Sequence, residues 1–163
     1  MKLEVLDKRE TIQSLNPPET AFGFTYHAHM IPPFKPEDML ILGSVGETVE
    51  RLIYKIYGNV SRCAIDLQKG QDAREWVVKY HSKNVVFDYI VVDLWNEDKV
   101  CEFIYEPKFA AALRKIATGL VSFNIPAGDI NKIYQVYTDA GFNYARFDTI
   151  EANAVIFFEV SNA

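Results

Sequence analysis

The chain has 163 residues, 49% of them hydrophobic and 24% charged, with a net charge of −5. That is the size and composition of one soluble domain that buries a core without disulfides or metal. The acidic balance excludes a general phosphate-backbone binder, so no nucleic-acid partner is expected, and no apolar run approaches the ~18–20 residues of a membrane span.

Met1-Lys2-Leu3-Glu4-Val5 carries an acid and no long apolar core, so it does not read as a secretory leader. Cys63 and Cys101 lack CxxC spacing and fit a reducing, cytoplasmic setting. Residues 1–38 read as an N-terminal extension with short strands. Asn16-Pro17-Pro18 and Ile31-Pro32-Pro33 are breakers, and Phe22–Tyr26 between them is a strand candidate. Within it and just after, Tyr26, His27 and His29 stand close together. On a strand the two histidines would share a face and could meet His81 at a metal, but half-buried alternation accounts for them and no metal site is expected.

Residues 39–163 read as one Rossmann-like domain in which apolar runs alternate with helical patterns. Met39–Leu42, Val60–Asp66, Val85–Trp95 and Leu120–Ile125 are near-continuous apolar runs, as in a parallel sheet covered on both faces. Val49, Leu52, Ile53, Ile56 and Tyr57 have helical spacing and stop at Gly58-Asn59. Asp72 is placed to cap a helix over 73–82. Pro107 suits the first turn of the next helix and Gly119 its end, and Asp129 opens a fourth that closes near Gly141. Asn143–Ile150 and Ala154–Val160 read as an antiparallel hairpin turning at Glu151-Ala152-Asn153. Phe157 and Phe158 put an aromatic on each face of the last strand, as core or, for one of them, as interface.

The predicted fold is therefore α/β, a three-layer αβα sandwich with a mostly parallel sheet and an antiparallel C-terminal hairpin. Ligands in such sheets bind outside the carboxyl ends of the strands. That rim collects Gly43–Glu47, Asp66, Asp93–Asn96 and Asn124-Ile125-Pro126. An apolar strand ending at Gly43, a helix, and a second strand closing on the acid Asp66 form a nucleoside-binding βαβ pattern.

These residues resemble the S-adenosylmethionine-dependent methyltransferase fold, most closely its spermidine-synthase branch, over about residues 22–126. Met39–Thr48 resembles the first glycine loop, and Cys63-Ala64-Ile65-Asp66 the second-strand Cys-Glu-Ile-Asp. Gly70-Gln71-Asp72-Ala73 resembles the Gly-Asp-Ala segment before a helix. Phe87–Asp93 resembles the strand whose last acid deprotonates the attacking amine, and Phe24-Thr25-Tyr26-His27 an aromatic-Ser-Tyr-Gln segment that contacts substrate. Tyr105–Phe109 sits where the family begins its next helix.

The resemblance implies S-adenosylmethionine or its decarboxylated form as cofactor, held by Gly43, Ser44, Gly46, Asp66 and Asp72. It implies Asp93 as base, a small-molecule acceptor beside Tyr26, His27 and Asn96, and a homodimer; Trp95, an aromatic next to Asp93, is an acceptor-side candidate because it can stack on a base or amine. The chain also departs from the pattern. Val45 and Glu47 replace further glycines, Ala64 replaces the ribose-binding glutamate, and Asn96 replaces a second acid. The link from Asp66 to Asp72 is too short for the usual helix and strand. Two functions follow as alternatives: a methyl- or aminopropyl-transferase, or a non-catalytic descendant that acts by binding a protein or itself.

Overall fold

The computed structural model describes residues 26–43, 48–65, 72–80, 85–96 and 98–160. The element order is β1 (Asp38–Leu42), α1 (Thr48–Tyr57), β2 (Ser61–Ile65), α2 (Ala73–Tyr80), β3 (Phe87–Val92), β4 (Trp95–Asn96), β5 (Lys99–Val100), α3 (Pro107–Ile116), β6 (Ala117–Pro126), α4 (Ile130–Asp139), β7 (Asn143–Ile150) and β8 (Asn153–Glu159). Six strands form one sheet in the order β2-β1-β3-β6-β8-β7. The first four are parallel, whereas β8 and β7 join antiparallel as the expected hairpin.

Alternation along the buried strands builds two cores. Met39 and Ile41 of β1 face Leu52 and Ile53 of α1, while Leu40 and Leu42 face the opposite layer with Val77 of α2, Leu113 of α3 and Ile133 of α4. Among the described residues, α1 and the segment 26–34 pack on one face and α2, α3 and α4 on the other. Phe157 and Phe158 are 1% and 0% exposed and belong to opposite cores, so both are packing residues. Among the described residues β2 is an outer strand, and no helix is long and apolar enough to cross a membrane.

Several local expectations change. His27 and His29 lie on a 3₁₀ turn, His27–Met30, so strand alternation does not bring them to one face. His81 and residues 22–25 of the strand candidate fall outside the described residues. The strand expected over 85–95 ends at Val92: Asp93 donates its N–H to the Leu42 carbonyl at 2.9 Å, and the chain then folds into the β4–β5 ribbon. Asp129 stands at the N-cap of α4, yet its carboxylate accepts from the Tyr105 hydroxyl instead of capping.

Gly119 is also not a helix end, because α3 stops at Ile116 and β6 has already begun. A Cβ there would lie 2.4 Å from the carbonyl oxygen of Asp88, at the point where the β3–β6 register shifts. Gly119→Ala is expected to destabilise the protein by about 1–3 kcal/mol, because backbone must move to admit the methyl. Urea unfolding would register this as a lower midpoint at unchanged slope; an unshifted midpoint would contradict the close approach.

Candidate functional site

The chain leaves β1 toward β2 on one side, while β3 and β6 lie on the other. The carboxyl ends of β1 and β3 therefore bound the crevice where open α/β sheets take ligands. Gly43 ends β1 and Asp93 follows β3. Gly43 has φ +87, and a Cβ on it would lie 2.0 Å from the Asp93 carbonyl oxygen. Glycine is required here because the two strand ends touch through their backbones.

The Asp93 side chain is 14% exposed. Its Oδ1 accepts from the Asn124 amide at 3.0 Å, and the Tyr26 hydroxyl donates to the same carboxyl. Burial pushes this carboxyl up from its ordinary 3.8 to about 6, with the Asn124 and Tyr26 hydrogen bonds pulling the other way. Burial likewise raises the Tyr26 hydroxyl, and the Asp93 charge adds to it. His27 Nε2 stands 4.0 Å from Asp93 Oδ2. Burial lowers this ring from 6.5 to about 4, so at neutral pH it meets Asp93 as a neutral imidazole and not as an ion-pair partner.

The segment carrying Tyr26 and His27 is pinned from below. Tyr89, fully buried in β3, donates its hydroxyl to the Met30 carbonyl and lies 2.7 Å from Ser122 Oγ. Tyr57 of α1 donates to the Pro32 carbonyl at 2.6 Å. Met30 and Ile31 are buried between these anchors, so core packing holds the 3₁₀ turn over the end of β3.

On the other side, Trp95 Nε1 donates to the Asn124 carbonyl at 3.1 Å, which fixes the indole beside the strand ends. Asn96 is exposed on the β4–β5 ribbon. Asn124 is 2% exposed, and its side-chain oxygen accepts from Asn153 Nδ2 at 3.0 Å. The structure thus brings Gly43, Asp93, Tyr26, His27 and Trp95 to one place. It adds Asn124 and Asn153, which in sequence are a rim residue and a turn residue. The available signal was a carboxamide in the otherwise apolar run Leu120–Ile125, at the end where ligands bind.

Asp72 caps α2, its Oδ1 accepting from the N–H groups of Arg74 at 2.9 Å and Glu75 at 3.4 Å. It also lines an open cleft of about 320 Å³ between α2 and α3, with Arg74, Glu106, Lys108 and Phe109. Arg74 and Glu106 are paired across it at 2.7 Å. Ser44, Gly46 and Asp66 lie outside the described residues.

The donor set around Asp93 fits a cationic sulfonium in one respect: above about pH 6 it places a carboxylate in a low-dielectric crevice. Gly43 does not cradle a ligand at its missing Cβ, since the Asp93 carbonyl already takes that space.

No family model matches the sequence, and no curated protein does. Solved structures share its fold at low identity. A Streptococcus mutans protein assigned to the S-adenosylmethionine-dependent methyltransferases aligns with a TM-score of 0.66 at 12% identity, over 82% of this chain and 47% of that one. Human N-acetylserotonin methyltransferase, solved with S-adenosylmethionine, gives 0.59 at 9% identity, over 97% and 57%. A protein-(glutamine-N5) methyltransferase from Alicyclobacillus acidocaldarius gives 0.54 at 13% identity, over 88% and 93%. The chain spans about half the length of the first two. Its fold is the Rossmann-like methyltransferase fold, as the sequence led us to expect.

Proposed function

We propose that this chain binds S-adenosylmethionine and transfers its methyl group to a small acceptor, with Asp93 as general base. The observation that carries the reading is the buried Asp93 carboxyl at the β1–β3 crevice, with a pKa near 6, in a fold shared with methyltransferases. When bound, the cofactor supplies an electrophilic methyl carbon on a sulfonium. An acceptor nitrogen or oxygen would take that methyl, the carbon–sulfur electron pair would remain with sulfur, and Asp93 would take the acceptor's proton. A base titrating near 6 is ionised at neutral pH yet still basic enough to accept that proton.

Tyr26, His27 and Trp95 wall the site and exclude water, which suits a displacement that depends on positioning and desolvation. In this proposal Gly43, Ser44, Gly46 and Asp66 keep the cofactor side, and Asp72 contributes with its Oδ1 committed to its own helix. Asn96 faces the acceptor from the ribbon. Aminopropyl transfer from the decarboxylated cofactor, along the spermidine-synthase line, is the finer form of the same proposal.

A second reading, a non-catalytic member of the fold acting through a protein partner or a second copy, draws support from Leu94. That side chain is 8% exposed, and its Cδ2 lies 3.4 Å from the Cβ position of Gly43, filling crevice space. Calorimetry and thermal shift separate the readings, using S-adenosylmethionine, its decarboxylated form, S-adenosylhomocysteine and methylthioadenosine. Ligand at 100 times its dissociation constant is expected to stabilise the fold by roughly 2.7 kcal/mol. The tightest of these ligands would separate methyl from aminopropyl transfer. No response to any of them at millimolar concentration would leave the second reading standing.

A further inference from the structure

The polar chain behind Asp93 has a direction. Asn153 opens β8 and Asn124 lies in β6; Pro126 pairs with Asn153, so the two asparagines share a sheet face two residues apart on the β6 side. Asn153 donates its amide N–H to the Asn124 side-chain oxygen at 3.0 Å, which leaves the Asn124 NH₂ to face Asp93 Oδ1, also at 3.0 Å. The Asn124 main chain is fixed as well, by the β6–β8 ladder and by Trp95 Nε1 on its carbonyl. A carboxamide buried to 2% has few ways to satisfy both its ends, and here each end has one partner of the right polarity. Were the amide reversed, its oxygen would face the Asp93 carboxylate, which only a protonated carboxyl tolerates.

We propose that Asn124, with its amide orientation locked by Asn153, is the positioning residue that holds Asp93 as an ionised, correctly aimed carboxylate. The proposal rests on the reading of Asp93 as the base. The pair acts through Asp93 and needs no contact with cofactor or acceptor. It also gives the C-terminal hairpin a task at the site, because Asn153 is the first residue of β8, directly after the turn.

The test is the titration of the Asp93 carboxyl carbon by NMR in the ligand-free full chain, with Asp93→Asn assigning the signal. The groups facing Asp93 from other elements among the described residues are Tyr26 at the N-cap of the 3₁₀ turn, His27 on it and Asn124 on β6, and all are unchanged in a variant of Asn153. Asn124→Leu removes the donor and is expected to tighten proton binding at Asp93 about tenfold or more. Asn153→Asp offers a carboxylate to the same amide and favours the reversed orientation, so it is expected to move the titration in the same direction from a distance. Asn153→Ser, which keeps a donor hydroxyl, is expected to return the midpoint toward that of the unchanged chain.

The added charge of Asn153→Asp raises the Asp93 midpoint by itself, so the uncharged Asn153→Leu, which removes only the donor that fixes the Asn124 oxygen, is measured beside it. A purely structural role would lower the melting temperature of Asn153→Leu and leave its midpoint in place. A midpoint unmoved in folded Asn153→Leu therefore overturns the proposal, even if Asn124→Leu fails to fold. Because the readout needs no ligand, it is separate from the transferase reading, which fails instead if none of the sulfonium nucleosides or their products binds.

Discussion

Asp93→Asn is expected to lower turnover by about 10²–10⁴-fold while nucleoside binding stays within a few-fold of the unchanged chain. The substitution is close to isosteric, and an amide oxygen at the same place still accepts from Asn124, so the crevice keeps its shape. What is lost is the ability to take the acceptor's proton. Binding and single-turnover measurements on the two proteins separate these effects. Full turnover in the variant would remove Asp93 from the chemistry.

The same substitution has a stability signature of the opposite sign. Burial raises the Asp93 carboxyl from 3.8 to about 6, so the folded state binds its proton more tightly than the unfolded chain does. Its contribution to stability is full below about pH 3.8 and is lost as pH rises through about 6. At neutral pH the ionised carboxylate is a net cost, and Asp93→Asn should relieve up to about 2–3 kcal/mol. His27 runs the other way. Its ring, lowered from 6.5 to about 4, contributes stability that is present above 6.5 and lost as pH falls toward 4. In the unchanged chain the two slopes oppose each other across the same window. Of these two slopes the variant keeps that of His27, so the contribution of this pair should rise with pH between about 4 and 6.5. Equal stability of the two proteins at pH 7 would show that Asp93 is better solvated than its burial implies.

Much of this arrangement was legible in the sequence because it is periodic. Apolar runs and i, i+3, i+4 spacing found the parallel strands and the helices, and a turn signal at Glu151-Ala152 found the hairpin. What failed was contact at a distance. Gly119 looks like a helix end in sequence, and only the passage of β6 across the Asp88 carbonyl makes it a packing glycine. Asp129 looks like a cap, and only the fold brings the Tyr105 hydroxyl to its carboxylate. At the site, strand ends could be counted out to Gly43 and Asp93, since topology alone places them at the β1–β3 crevice. The Tyr26–His27 turn arrives there through the Tyr89 and Tyr57 hydrogen bonds, and Asn153 through pairing of β8 with β6. No local pattern encodes those long-range partners.

Gly43→Ala is expected to be among the most damaging single changes in the chain, costing about 2–5 kcal/mol. Two penalties add. A φ of +87 places a side-chain-bearing residue in the left-handed region, at about 1–2 kcal/mol. The new methyl would also lie 2.0 Å from the Asp93 carbonyl oxygen and 2.8 Å from its carbon. Both are backbone atoms, so relief requires β1 and β3 to part at their carboxyl ends, at a further ~1–3 kcal/mol. Gly58→Ala isolates the first penalty. Gly58 has φ +83 with nothing within 4 Å of its Cβ position, so it should lose only about 1–2 kcal/mol. Against a total of about 5–15 kcal/mol for a domain, the Gly43 change consumes a large share, and melting should fall by roughly 10 °C. Parting the strand ends would also carry Asp93 away from the Asn124 amide, so whatever protein stays folded should show a displaced Asp93 titration. Equal melting losses for the two alanine variants would mean that the strand ends are not in backbone contact, and the geometry that aims Asp93 would have to be sought elsewhere.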